Sequence, residues 1–476
     1  MRRSIRILAA VGCFLFILTA LWLLGRTAPA DEALRKFKAE LQAKGEQLSF
    51  EELTKSRSTA VNTSHDTITN VARKLGPPSL SPALIPLRIY VAPGRAKVAW
   101  KVDSSLQSTN GLPPQAWEQF AAQLNTVETA LAQVRLALRD PAPDAGPRSM
   151  TNFWSNRLDF VAIRQAAYWL SGAALSHLRQ GELEPALQDL EAIAGLARME
   201  RDEYTLVAQM IRVAVAGVGL TTTWEALQSP GWTEPQLARL QRAWEQLELA
   251  DAVEKGLLGE RASGTEIWRL IRENKEPWRN LGLNAGKASS LLDKLVLIPV
   301  YRLTSINDDE LLHLQISQEA LDAVRLVQQH RSWPEIQQRL AKPVARLSQL
   351  RSWSAGFRYR VSALVVPNTW AATAVAIQRE TEHQLTVTAI ALRRFNLRYG
   401  AWPQNLDELI PDSMATMPAD PMSGKNLRYR RDEIAGFILY SVGVDGKDDG
   451  GDPTPAAGSA PRLWDGRDAV WPAAAP

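Results

Sequence analysis

Apolar positions follow several rhythms along the chain, and each rhythm predicts a different kind of element. From Ile7 through Leu15 to Leu24 the run is uncharged and almost wholly apolar. Such a run rises about 27 Å as a helix, enough to cross the hydrocarbon of a bilayer. From Trp117 the rhythm becomes helical. Trp117, Phe120, Leu124, Val127, Leu131, Val134 and Leu138 alternate spacings of three and four, one apolar stripe on a long helix. The proline-rich segment Asp140–Pro147 ends it. Leu87–Val91 and Ala96–Val102 are short β-prone runs flanking Ala92-Pro93-Gly94-Arg95, the pattern of a hairpin. Residues 31–75 are polar, with weak helical periodicity at Leu34, Phe37, Leu41, Leu48 and Leu53, and predict a stalk or surface helices.

Further helices are predicted over 203–227, 234–249, 263–272, 308–330 and 334–350, with Gly217 and Gly219 weakening the first. Leu291–Tyr301 is apolar but broken by Asp293, Lys294 and Pro299, which predicts a buried helix and not a second membrane span. Tyr168–Leu178 followed by Arg179–Leu190 resembles the helix-turn-helix of a tetratricopeptide repeat, with Gly181 at the helix end and Ala186 and Ala194 allowing close approach. About one and a half such units fit, so two or three antiparallel helix pairs are expected.

Arg2, Arg3 and Arg6 precede the apolar run. They predict a cytoplasmic N-terminus and an extracytoplasmic bulk, with Ile7, Leu15 and Leu24 inside the anchor. The alternative is a cleaved signal peptide, because Ala28-Pro29-Ala30 offers small residues for cutting after Ala30. Cys13 is the only cysteine and lies inside the run, which excludes an internal disulfide and a thiolate zinc site. A formal charge of +4 over 476 residues, with 45% apolar and 22% charged, describes a globular chain and gives no signal for nucleic acid.

The last hundred residues carry the most specific pattern. Leu385, Ala389, Leu392, Phe395 and Tyr399 share a helix face that stops at Gly400. A turn and a short helix within Ala401–Pro411, which includes Trp402-Pro403, the turn at Asp420-Pro421, strands at Leu427–Arg430 and Phe437–Tyr440, and Tyr440-Ser-Val-Gly-Val-Asp445-Gly446 follow in order, ending at Asp468-Ala-Val-Trp471. This order over roughly residues 375–472 resembles the soluble part of the major pseudopilin of type II secretion. The rest of the chain resembles uncharacterised exported bacterial proteins with such a tail. The departures are specific. No Glu follows Gly12-Cys13, and the apolar run through Leu24 contains no carboxylate. Arg379, Glu380 and Glu382 interrupt what would be the membrane part of the tail's own helix. Polymerisation through that helix is not expected.

Asp445, Asp448, Asp449 and Asp452 crowd one glycine-rich loop, with Asp465 and Asp468 shortly after. Crowded carboxylates require solvation or a cation, and calcium accepts such oxygens in flexible geometry. Lys447 breaks the EF-hand pattern. The resemblance implies calcium at Asp445, Asp449 and Asp468, with Asp448 and Asp452 as alternates. A solvated Asp/Gly turn is the competing reading of the same residues.

Motifs for nucleophilic, nucleotide-dependent or zinc catalysis are absent from the sequence. Glu380 with Glu382 and Asp407 with Glu408 offer carboxylates for an acid/base pair, but at these spacings they point different ways and read as exposed helix-end carboxylates; His383 reads as half-buried rather than catalytic. Of the 16 tryptophans, most fall in helical segments and predict core; Trp333, Trp353, Trp402, Trp464 and Trp471 lie near loops, where a ligand or glycan platform is the other reading.

The expected architecture is mainly α. It comprises a leader and anchor (1–30), an N-terminal module with the hairpin (31–112), a helical domain of tetratricopeptide-like hairpins (113–360) and a small α+β pseudopilin-like domain (361–476). The expected role is that of a membrane-anchored structural or interaction protein of the bacterial inner membrane, non-enzymatic, with envelope or secretion partners. A ligand- or glycan-binding protein released by cleavage after Ala30 is the alternative, and an enzyme of unfamiliar type is the last.

Overall fold

The computed structural model describes residues 29–55, 63–76, 87–101, 117–139, 157–199, 201–273, 298–349, 358–366, 369–455 and 461–475. The anchor residues Ile7, Leu15 and Leu24 lie outside them. Among the described residues helix dominates, with three small sheets. Two compact units interleave the segments expected to fold one after another. The first gathers the described parts of 1–56, 257–322 and 339–369; the second those of 57–256, 323–338 and 370–476. The N-terminal module is thus divided between them, and the C-terminal tail shares a unit with the helical hairpins.

In the first unit, α1 (29–43) leads to α2 (Phe50–Thr54), which Ser49 and Glu52 start with a reciprocal capping box. Leu34, Leu41 and Leu48 are buried against Leu314, so this periodic segment forms core and is no exposed stalk. A second cluster joins Ile267, Trp268, Ile271, Tyr301, Ile306 and Val361.

The second unit is built on α3 (Thr63–Leu75), α4 (Trp117–Ala137), α5 (Arg157–Gln180), α6 (Leu183–Arg198), α7 (Leu206–Leu227) and α8 (Glu234–Glu245). The predicted stripe of α4 faces inward at Trp117, Phe120, Leu124, Leu131 and Val134. Helices α5, α6 and α7 pack on one another, and Gly181, at φ +77, makes the α5–α6 turn. Thr205 and Thr233 cap α7 and α8. Helix α7 is long and apolar enough to cross a membrane by length and composition. Its faces nonetheless pack on α5 and α6, and it buries Gln209, Arg212 and Glu225, as a core helix does. Gly219 is there for fit, since a Cβ would fall 2.5 Å from the Trp244 ring and 2.7 Å from Ile193.

Helices α9 (Ala252–Arg272), α10 (Ile298–Thr304), α11 (Ile306–Gln328), α12 (Trp333–Gln349), α13 (Ser362–Val365) and α14 (Thr369–Tyr399) follow. Helix α9 starts well before the predicted Ser263. Helix α10 begins inside the run expected to be buried, but of its described residues only Tyr301 is buried, while Val300 and Leu303 are exposed; residues 291–297 lie outside the described residues.

The predicted hairpin forms as β1 (Ile89–Ala92) and β2 (Arg95–Lys97), antiparallel. In the tail, β3 (Ala419–Asp420) pairs with β4 (Lys425–Asn426), and β5 (Arg428–Asp432) with β6 (Gly436–Ser441), which also pairs with β7 (Ala469–Val470). The last strand, β8 (Ala473–Ala474), adds in parallel to β2, joining the tail to the early hairpin.

Candidate functional site

The acidic loop runs from β6 to β7, and its carboxylates are chiefly employed in holding it. Asp468 is fully buried. Its Oδ2 accepts the backbone N–H groups of Gly451 at 2.7 Å and Asp452 at 3.0 Å, and its Oδ1 that of Asp449 at 3.4 Å. Burial lifts this carboxyl above the ordinary aspartate range, against the opposing pull of those donors. Asp448 accepts the Tyr440 hydroxyl at 3.0 Å, the Gly450 N–H at 3.1 Å and the Arg428 Nε–H at 3.0 Å. Partial desolvation is outweighed by these donors, and Asp448 sits below its ordinary value. Asp452 accepts the Thr454 N–H at 2.9 Å, which with Arg467 lowers it as well.

Asp445 is exposed and caps its own turn through the Lys447 N–H at 3.0 Å. Asp449 is exposed, and no side-chain hydrogen bond of its own is found among the described residues. The loop's entry needs glycine: Gly443 has φ +72, and a Cβ there would lie 2.4 Å from the Arg467 carbonyl oxygen. Beneath the loop, buried Asp420 accepts the Ser441 hydroxyl at 2.7 Å and the Met422 N–H at 3.0 Å, and burial raises its carboxyl.

The structure therefore brings Asp468 together with the backbone of 449–452 and leaves Asp445 and Asp449 facing solvent. Among the described residues, no group of three or more His, Cys, Asp or Glu side chains is gathered closely enough to hold a metal ion. As the loop stands, its oxygens fit a self-capped turn better than a converged calcium cage. Asp445 and Asp449 keep the lone pairs a cation could recruit.

A second concentration of charge was not legible in the sequence. Arg88, at φ +49, donates its N–H to Glu225 Oε1 at 2.8 Å, and Ala99 N–H donates to Oε2 at 2.9 Å. The Arg88 guanidinium pairs with Glu382, which also pairs with Arg379. Burial pushes the Glu225 carboxyl up to about 7, although both backbone donors and Arg88 oppose it. Glu380 accepts the Leu249 N–H at 3.1 Å and faces His383 Nδ1 at 3.4 Å, while His383 Nε2–H donates to the Trp244 carbonyl at 2.9 Å. Burial opposes charge on this imidazole, but acceptors at both nitrogens raise it above its ordinary value.

Glu380, Glu382 and His383 are thus buried in mid-helix, which corrects their reading as exposed helix ends and a half-buried ring. Their partners lie as far as 294 residues away, beyond what local spacing can show. One local sign existed: Glu225 is the only carboxylate within the apolar α7.

Trp333 and Trp471 are buried, the first against Trp370, and neither is available as a platform; Trp353 lies outside the described residues. Trp402 is half-buried between Phe437 and Arg393, and Trp464 is half-buried. Comparison of the chain with protein-family models, curated proteins and solved structures gives no match.

Proposed function

We propose that the chain is a single-pass bacterial envelope protein, anchored at 7–24 with its bulk outside the cytoplasm, that works as a structural or interaction protein and not as an enzyme. Its tail is read as a pseudopilin-like module linked to secretion, with calcium at Asp445 and Asp449 as part of that reading. One observation carries it. The order of α14, a short helical turn, the β5–β6 hairpin, the acidic loop and β7 is the order on which the pseudopilin resemblance rests. The α5–Gly181–α6 hairpin supports the tetratricopeptide-like reading of the helical part in the same way.

The test is fractionation of cells expressing the full chain, with N-terminal sequencing and external protease. Intact Met1 in the membrane fraction, with the bulk digested from outside, is the expected result. A soluble chain beginning at Asp31 would replace the anchored reading with the released binding protein. A chain protected inside the cytoplasm would end both.

A further inference from the structure

Helix α6 packs against both α4 and α8, and along it lies a groove of ≈ 330 Å³. Stripes at helical spacing line it from all three helices. The charged members are Arg135, Arg139, Glu191, Arg198, Arg239 and Arg242: five guanidiniums against one carboxylate.

Two of the five are neutralised where they stand. Arg135 binds Asp189 at 2.7 Å and Glu128 at 2.6 Å, and Arg239 binds Glu184 at 2.6 Å and Glu191 at 2.8 Å. The other three differ. Arg139 and Arg242 are exposed and form no ion pair or side-chain hydrogen bond among the described residues. Arg198 is half-buried and donates to the Ala243 carbonyl at 2.8 Å, with no carboxylate beside it. Burial alone acts on this guanidinium and depresses its proton affinity. A charge removed from water without a counter-charge is unfavourable, and an arriving anion relieves it.

Guanidinium forks match the oxygens of carboxylate and phosphate. Counted with the four carboxylates that hold Arg135 and Arg239, the five guanidiniums leave a net charge of only +1. Three of them nonetheless keep N–H donors that no described carboxylate accepts, more than the two oxygens of a single carboxylate group can take. A phosphoryl group carries about −1.5 to −2 and offers three acceptor oxygens. We propose that this groove binds a phosphoryl group through Arg139, Arg198 and Arg242. The proposal depends on neither the anchor nor the calcium loop.

The test is calorimetric titration of the full chain in uncharged detergent at constant ionic strength, using inorganic phosphate, glycerol phosphate as a lipid-headgroup analogue, and hexaglutamate. Saturable binding of a phosphate compound is expected, weakened about ten-fold or more by the double substitution R139Q/R242Q, whose exposed sites leave the fold intact. R198M should weaken it further; should that variant unfold, the double substitution decides alone. Glycerol phosphate binding more tightly than phosphate identifies a membrane headgroup as the source, and the reverse order identifies free phosphate. Absence of binding, binding indifferent to R139Q/R242Q, or hexaglutamate binding ten-fold tighter than either phosphate compound overturns the proposal, the last in favour of an acidic protein partner.

Discussion

Trp224 donates its indole N–H to the carbonyl oxygen of Pro472 at 2.9 Å, across 248 residues of sequence, with the tryptophan side chain fully buried. This bond, with the β2–β8 pairing and the Gln241–Ser413 contact at 2.6 Å, fastens the tail to the helical core of its unit. Trp224→Phe removes the donor and leaves a buried carbonyl unpaired, which costs about 1–3 kcal/mol. Urea unfolding of the full chain should show that loss, and an unchanged midpoint would mean the bond contributes nothing. The fragment 370–476, deprived of the same ties, should give no cooperative melt.

Glu225 predicts a pH dependence with a definite sign. Its carboxyl titrates at about 7 in the folded chain against an ordinary 4.5, so between those values the folded chain holds a proton that the unfolded chain has released. The contribution is full below 4.5 and is lost as pH rises through 7. Glu225→Gln sets an amide NH₂ against one of two backbone donors and destabilises by about 1–3 kcal/mol. The variant should also lose the wild type's decline between pH 5 and 7; an identical slope in both would exclude Glu225 as its origin.

Gly219→Ala tests helix packing. Its Cβ would meet Trp244 at 2.5 Å and Ile193 at 2.7 Å, both in the core. Overpacking of this kind costs about 1–3 kcal/mol, whereas helix propensity alone favours alanine by nearly 1. A fall in melting temperature means packing wins; a rise means the neighbours yield.

These three sites divide what was legible from what was not. The α4 stripe, the β1–β2 hairpin, the helices near 206–227 and 306–328 and the order of the tail's elements follow from local rules of period, capping and turn chemistry. Gly217 and Gly219 looked like weaknesses because propensity is local, but their use is set by Arg379 and by Trp244 and Ile193 from other helices. Glu225 looked merely out of place in an apolar run, since its partners Arg88 and Ala99 are more than 100 residues away. The acidic loop was legible as a feature. Its internal logic was not, because nothing in aspartate spacing distinguishes Asp468, which binds three backbone amides, from exposed Asp449.

Asp468→Asn should therefore act locally. Weakened acceptance at Oδ2 frees the amides of Gly451 and Asp452, and their hydrogen exchange should accelerate by about ten-fold or more while α5–α7 stay protected. Millimolar calcium tests the cation reading in the same protein: a concentration-dependent rise in melting temperature, reversed by chelator and absent in Asp445→Ala, is expected if calcium binds the folded loop. No shift reduces the loop to a self-capped turn.

The pairing of β2 with β8 bears on the order in which the protein can be made. A polypeptide emerges in sequence from the ribosome or a translocation pore, and helices α3–α8 are delivered long before residues 469–475. Until those arrive, β2 has an open edge and the indole of Trp224 lacks its acceptor. The second unit is therefore finished only after residues 469–475 have emerged, and until then it carries an unpaired strand edge of the kind that promotes misassembly. Shortening the delay, by a circular permutation that carries 469–475 ahead of Ile89, should speed maturation without altering the final fold.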